Sequence, residues 1–265
     1  MTVALYAKMP GRMNEIEKRV LSTKWFYHFK LPSGAVTEVY IPEEIAGIHS
    51  TREQMMGNVL DPLFGGRWSE TTAVDLACHE GYFSIALAQR GCKRVLGIDA
   101  REEHIRDAEL IRSAYGLPNL EFRTGDVTKF DPAEVGQFDI VLMFGLIYHL
   151  ENPIAALRVA HALTRRVCLI ETQIAPNLDA TVEWGSQHFV KPTVGVFAVV
   201  DEWEDLHGAP KQAGLADIAL VPSLEAVLWI MKRAGFTRVE VVPPPPDSYE
   251  QLARGQRVIV AGYID

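Results

Sequence analysis

From Thr71 onward the chain settles into a regular alternation of short apolar runs and amphipathic stretches. The apolar runs predict strands at 72–76, 94–98, 119–123, 138–143, 166–171, 237–242 and 257–263. Between them, apolar residues recurring every three or four positions predict helices at 82–90, 102–115, 153–163 and 223–235. Strands that alternate with helices read as α/β: a doubly wound, mostly parallel seven-stranded sheet with both faces covered. The last strand differs. It follows Pro243–Pro246 and a polar loop with no predicted helix, which suits an antiparallel last strand better than a crossover.

Before Thr71 the pattern is less regular. Residues 12–22 predict a short helix and Thr51–Leu60 a second. Trp25-Phe26-Tyr27-His28-Phe29-Lys30-Leu31 alternates into the turn Pro32-Ser33-Gly34, with Ala35–Ile41 returning, as in a hairpin. Residues 1–70 are therefore expected to form an N-terminal lid segment facing a substrate, with Trp25, Tyr27 and His28 as candidate contacts. Packing of the same aromatics is the alternative. Residues 71–265 form the main domain. Within it, 174–222 is long and rich in Trp, His, Pro and Gly, and is expected to be a cap insertion. Trp184 and His188, with Phe189, are its candidate substrate contacts.

At 265 residues and 48% hydrophobic content the chain can bury one substantial core. Its net charge of −8 supplies no basic field for nucleic acid, so the expected partner is a small molecule. Three cysteines, Cys78, Cys92 and Cys168, lie in or beside apolar segments without metal-ligand spacing, so no disulfide framework and no metal site are expected. The first residues carry no apolar signal-peptide core, and no apolar run approaches the roughly 20 residues of a membrane span. A cytoplasmic protein without membrane attachment is expected, with a homodimer as one possible assembly.

The chemistry is concentrated in Ala73-Val74-Asp75-Leu76-Ala77-Cys78-His79-Glu80-Gly81-Tyr82-Phe83-Ser84, which reads as strand, tight loop and helix start. Such a loop presents free backbone N–H groups and the positive end of a helix dipole. The next strand ends in Asp99, where the second strand of a βαβ unit grips a ribose diol. Together these features point to a nucleoside cofactor.

These residues resemble the class I S-adenosylmethionine-dependent methyltransferases, whose fold is Rossmann-like. Asp75–Gly81 matches the family's glycine-rich loop, Asp99 its second acidic position, and Gly125-Asp126-Val127 its third. Phe138–His149 matches its fourth-strand segment, and the antiparallel last strand is also a family trait. The resemblance implies S-adenosyl-L-methionine as cofactor and S-adenosyl-L-homocysteine as product. It also implies contacts from Asp75, Ala77, His79, Gly81, Asp99, Ala100, Asp126, Val127, Phe144 and Tyr148. Among them, Asp99 would accept from the ribose hydroxyls and Asp126 from the adenine amino group. Val127 would lie against the ring, and Phe144 with Gly145 along the methionine part. Gly145–Pro153 and the Pro222-Ser223-Leu224 step further resemble a branch of tRNA wobble-uridine methyltransferase-like proteins.

Two departures stand out. Ala77 and His79 occupy positions where the family has glycine. Ala77 is sterically mild provided its φ is negative. His79 either contacts the methionine carboxylate or points to solvent.

Methyl transfer requires positioning and, for some acceptors, a base. His149, at the end of the fourth predicted strand, is one candidate; a hydrogen bond to backbone at a helix entry is its other reading. Glu171, after the fifth strand, is a second candidate, either as base or as a surface carboxylate. The expected reaction is methyl transfer to O or N of a small aromatic or heterocyclic metabolite, as in natural-product biosynthesis. The alternatives are wobble-uridine modification of tRNA, with the ordinary or a carboxylated cofactor, and a non-catalytic cofactor-binding regulatory module.

Overall fold

A computed structural model describes residues 14–129, 131–182, 191–208 and 211–265. Its first elements are helices α1 (Glu15–Leu21) and α2 (Glu43–Phe64). The rhythmic part follows as β1 (Thr72–Leu76), α3 (Tyr82–Gln89), β2 (Arg94–Asp99), α4 (Glu102–Tyr115), β3 (Leu120–Thr124), α5 (Pro132–Val135), β4 (Phe138–Phe144), α6 (Pro153–Leu163) and β5 (Thr164–Gln173). The insertion contains β6 (Thr181–Val182), β7 (Lys191–Pro192), β8 (Phe197–Asp201), α7 (Trp203–Gly208) and β9 (Ile218–Pro222). The chain closes with α8 (Leu224–Ala234), β10 (Arg238–Val242), α9 (Glu250–Ala253) and β11 (Arg257–Tyr263).

Seven strands form one sheet in the order β10-β11-β5-β4-β1-β2-β3. Strands β1 to β5 pair in parallel, whereas β11 is antiparallel to both β5 and β10. The expected fold class and antiparallel last strand are therefore present, although the polar loop before β11 winds into the one-turn helix α9. The strand order reverses between β1 and β4, since β2 and β3 extend the sheet on one side and β5 on the other. An open sheet leaves a crevice at the carboxyl ends of its strands at such a reversal.

Side-chain alternation along the strands divides the core in two. Ala73, Ile140, Leu142, Val167 and Leu169 face one cluster; Val74, Leu76, Val141, Met143, Cys168 and Ile170 face the other. Helices α6 and α8 cover the second face. The first face is covered by α3 and α4 together with α2 and the N-terminal block. Trp25, Phe29, Met55, Met56 and Leu60 are buried in that same cluster.

Several local expectations are corrected. The N-terminal hairpin is reduced to two isolated bridges, Trp25 with Val39 and Lys30 with Val36. Helix α2 begins eight residues earlier than predicted and runs through Gly47 and Pro62, residues that punctuate a helix pattern. Glu43 and Glu44 in its first turn complement the helix dipole. In the insertion, the apolar runs of β8 and β9 pair antiparallel, a strand signal that the Pro- and Gly-rich surroundings obscured. Among the described residues, no helix is long and apolar enough to cross a membrane.

One packing detail fixes the loop after β1. The Phe122 ring is wedged between Gly81 and Gly97, where an added Cβ would come within 2.4 Å of it at either glycine. Gly97→Ala is therefore expected to destabilise the fold by about 1–3 kcal/mol. The effect is read as a lower melting temperature, and Phe122→Leu in the same chain should recover part of it.

Candidate active site

The loop Ala77–Gly81 lies at the crevice where β1 ends. Gly81, in the left-handed region at φ 81°, leads into α3. Ala77 and His79 adopt the same region, at φ 60° and 52°. Left-handed backbone costs an L-residue about 1–2 kcal/mol, so the proviso of a negative φ at Ala77 is not met. The loop keeps a glycine-type shape without two of its glycines. Its strain is opposed by Asp99, whose Oδ2 accepts from His79 N at 2.9 Å, and by Cys78 N donating to the Ile98 carbonyl at 3.0 Å.

Asp99 Oδ1 also accepts from Arg101 N and from His104 Nδ1. Burial pushes the Asp99 carboxyl up, but the His104 and Arg101 hydrogen bonds outweigh it and hold it below the usual range. Three acceptor positions of the carboxylate are thus taken by protein. About one of its roughly four lone-pair sites remains for a ligand hydroxyl. His79 does not point freely to solvent, and its Nδ1 is buried without a partner. Its Nε2 meets the Lys211 carbonyl at 3.2 Å, and its ring lies 3.9 Å from that of His104. Burial, then the neighbouring His104, pushes His79 down to about 3, so the ring is neutral.

A cleft of about 610 Å³ opens above this loop, within the usual range for a small-molecule site. Ala77, His79, Asp99, Ala100, Asp126, Val127, Phe144 and Tyr148 all line it. Asp126 Oδ1 accepts from Thr128, and its Oδ2 pairs with Lys129 at 2.9 Å. Asp75 and Gly81 are corrections: neither reaches the wall. Asp75 lies beneath the loop and accepts from Ser84 Oγ at 2.7 Å, while burial pushes its carboxyl up to about 7. Gly81 supplies the bend.

The substrate candidates separate in the same way. Tyr27 lines the cleft, stacked on Tyr82 at 4.9 Å. Trp25 is a correction: it is a core residue, 1% exposed, with Nε1 donating to the Val20 carbonyl. His28 also lies off the cleft, with its two ring nitrogens facing the Thr37 carbonyl and Glu43. Trp184 and His188 lie outside the described residues.

His149 lines the cleft just beyond β4, and its Nδ1 contacts Glu202 Oε1. Glu202 is buried, and its Oε2 accepts from Gly214 N at 2.9 Å. Burial raises the Glu202 carboxyl, but the His149 and Gly214 hydrogen bonds bring it below its ordinary range. An ionised carboxylate only accepts, so His149 Nδ1 carries a proton and donates it to Glu202. Of the two readings of Glu171, the surface carboxylate is excluded. The side chain is fully buried, and its Oε1 accepts from both Arg52 Nη2 (2.9 Å) and Arg257 Nη1 (3.1 Å). Arg257 Nη1 also donates to the Tyr148 hydroxyl. Glu171 thus holds two guanidiniums at the cleft through one of its oxygens.

Glu202, His104, Arg52 and Arg257 were missed from the sequence. A histidine one turn after the carboxylate-bearing strand end, as at Asp99 and His104, was a legible signal. Glu202 lies in the acidic run Asp201–Asp205, and nothing local links it to His149. The cap closes over the loop through Arg101 Nη2, which donates to the carbonyls of Ala213 and Gly214. Among the described residues, no group of three or more His, Cys, Asp or Glu side chains could hold a metal ion.

A nucleoside-binding crevice in an open α/β sheet, with a carboxylate at the tip of β2 and a second acid after β3, defines the class of site. Residues 68–202 match the family model described as a methyltransferase domain. The chain is 28% identical over 193 residues to a tRNA U34 carboxymethyltransferase of Desulfotalea psychrophila, covering 72% of this chain and 53% of that protein. It is 31% identical over 94 residues to a ubiquinone biosynthesis O-methyltransferase of Pseudomonas paraeruginosa, covering 36% and 40%. The chain spans about half the length of the first of these relatives. Among solved structures, the N-terminal domain of EvdMO1 in the presence of SAH and D-fucose superposes with a TM-score of 0.67 at 24% identity, over 95% of this chain and 96% of that one. Magnesium protoporphyrin IX methyltransferase from Synechocystis PCC 6803 with bound SAH gives 0.55 at 15%, over 86% and 90%. The chain belongs to the methyltransferase-domain family, in the class I S-adenosylmethionine-dependent group.

Two measurements test this arrangement. Asp99→Ala is expected to weaken S-adenosylhomocysteine binding by roughly 10- to 150-fold in calorimetry, the loss of one hydrogen bond to a charged acceptor at about 1.5–3 kcal/mol. The second concerns Glu80, buried under the lid block, whose two oxygens accept from Phe26 N. Burial pushes its carboxyl from 4.5 up to about 8. Asp75 shifts in the same direction, so between the ordinary carboxylate range and pH 8 the folded chain binds more protons than the unfolded chain. Stability from these groups is fully present below that window and is lost as pH rises through it. Glu80→Gln should melt above the parent protein at pH 8 and show no such gain at pH 5.

Proposed function

We propose that the chain transfers the methyl group of S-adenosylmethionine to an oxygen or nitrogen of a small aromatic or heterocyclic acceptor, with His149 as general base. The observation that carries this reading is the His149–Glu202 pair at the carboxyl edge of β4. Aromatic and apolar walls beyond the loop, from Tyr27, Tyr40, Ile45, Ile48, Tyr148 and Tyr249, support an acceptor of that kind. The net charge of −8 weighs against a polyanionic tRNA.

The residues of the cleft fit the cofactor: Asp99 keeps an acceptor site, and Ala77, Val127 and Phe144 offer apolar surface. The bound cofactor supplies an electrophilic methyl carbon on a sulfonium whose sulfur leaves as a neutral thioether. The acceptor atom forms its new bond to that carbon as the carbon–sulfur bond breaks. Its proton passes to His149 Nε2, and the imidazolium so formed is stabilised by Glu202 through Nδ1–H. The segment carrying Lys211, Ala213 and Gly214 is tied to the loop and to Arg101 and would cover the bound cofactor.

The test is transfer of isotopically labelled methyl to fractionated small molecules and to bulk tRNA. Label in the small-molecule fraction is expected; label in tRNA would transfer the assignment to wobble-uridine modification. Tight cofactor binding without any product would leave a non-catalytic module. With an acceptor in hand, His149→Ala should lower kcat by about 10²- to 10⁴-fold, with S-adenosylhomocysteine affinity nearly unchanged.

A further inference from the structure

We propose that the acceptor carries a carboxylate and that Arg52, assisted by His49, is its seat. This inference rests on the cleft being a methyl-transfer site. Helix α2 presents Ile45, Ile48, His49 and Arg52 to the cleft, the spacing of a single helical stripe. Arg52 and Arg257 both donate to one oxygen of one carboxylate, Glu171 Oε1. Two buried guanidiniums against a single carboxylate leave one positive charge without a counter-charge in a desolvated place, which is costly unless a ligand completes it.

Three orphaned groups accompany that imbalance. Arg52 Nε is buried without an acceptor. His49, one turn before it, is 3% exposed, and neither ring nitrogen has a partner. Its ring is fixed edge-on by Tyr27 at 4.4 Å and Phe26 at 4.8 Å. Burial and then Arg52 push His49 down to about 2, so it is neutral and offers one N–H without adding charge. The third orphan is Glu171 Oε2, on the Gly145 side, an acceptor without a donor.

Strand order separates this region from the cofactor acids. Glu171 and Arg257 belong to β5 and β11, on one side of the reversal; Asp99 ends β2, and Asp126 follows β3, on the other. A carboxylate is the planar partner that a guanidinium edge fits best. It has three conceivable sources: the acceptor, the amino-acid end of the cofactor and the extra carboxyl of a carboxylated cofactor. The surplus charge on the β5–β11 side favours the acceptor over the second. Tighter binding of the carboxylated than of the ordinary cofactor, lost in Arg52→Met, would give the seat to the third and overturn the proposal.

The experiment uses the protein saturated with S-adenosylhomocysteine, so that the cofactor's own carboxylate is already in place. Benzoate and its uncharged counterpart benzamide are titrated by calorimetry and by thermal melting. Benzoate is expected to bind on the order of tenfold more tightly than benzamide. Arg52→Met should abolish that preference while leaving S-adenosylhomocysteine affinity near the parent value, and Arg52→Lys, which keeps the charge, should retain part of it. Equal binding of the two probes, no benzoate binding, or an unchanged preference in Arg52→Met overturns the proposal. So does a large loss of S-adenosylhomocysteine affinity in Arg52→Met, which would give the seat to the cofactor. Failure of the parent protein to bind S-adenosylhomocysteine would instead defeat the methyltransferase reading.

Discussion

The hydrogen bonds converging on the Asp99 carboxylate hold the site together. They come from His79 N on the strained loop, from Arg101 N at the start of α4 and from the His104 ring. Without the first, Ala77 and His79 would have little reason to remain left-handed, since relaxation would release a strain of about 1–2 kcal/mol at each. Without the last, a buried carboxylate would lose a donor that offsets its desolvation. Arg101 and His79 then reach the cap from the same anchor, through the carbonyls of Ala213, Gly214 and Lys211. One side chain at a strand tip therefore sets the loop's shape, fixes the charge at the cofactor end and ties down the cover above it.

Buried ionisable groups elsewhere are arranged by role. Asp75 is packed beneath the loop and Glu80, from the loop itself, under the N-terminal block; burial favours their neutral forms, and they accept from Ser84 Oγ and Phe26 N respectively. Glu202 and Glu171 face cationic or proton-carrying partners, the first orienting an imidazole and the second holding two guanidiniums. The same side chain thus appears as a structural acid in one setting and as a charged organiser in another, according to what faces it.

The sheet and its covering helices were legible because apolar patterning specifies them: continuous runs along strands buried on both faces, and a period near 3.6 along α4, α6 and α8. The loop and the two acids that line the cleft, Asp99 and Asp126, were legible because their positions in a βαβ unit have a local signature. What escaped was long-range. Glu202 meets His149 across 53 positions, and Arg52 meets Glu171 across 119, so no window of sequence holds either pair. Trp25 and His28 were misjudged for a related reason. An aromatic-rich stretch alternates in the same way whether it faces a ligand or the underside of a sheet, and only the burial of Trp25 between α2 and the sheet distinguishes the two. The conformation of Ala77 was illegible because residue type argues against a left-handed backbone there, and tertiary hydrogen bonds overrode it.

The fit of the cap to its base also bears on the chemistry. Gly214 sits so close to the His149 carbonyl that a Cβ would come within 2.4 Å of it, and its amide holds Glu202, the carboxylate that orients His149. The cover of the cleft and the partner of the imidazole are thus parts of one segment. A chain with that segment lifted away would have an exposed cofactor and an unaligned histidine at the same moment. For the proposed reaction, the cover of the cleft and the alignment of its base therefore depend on the same contacts.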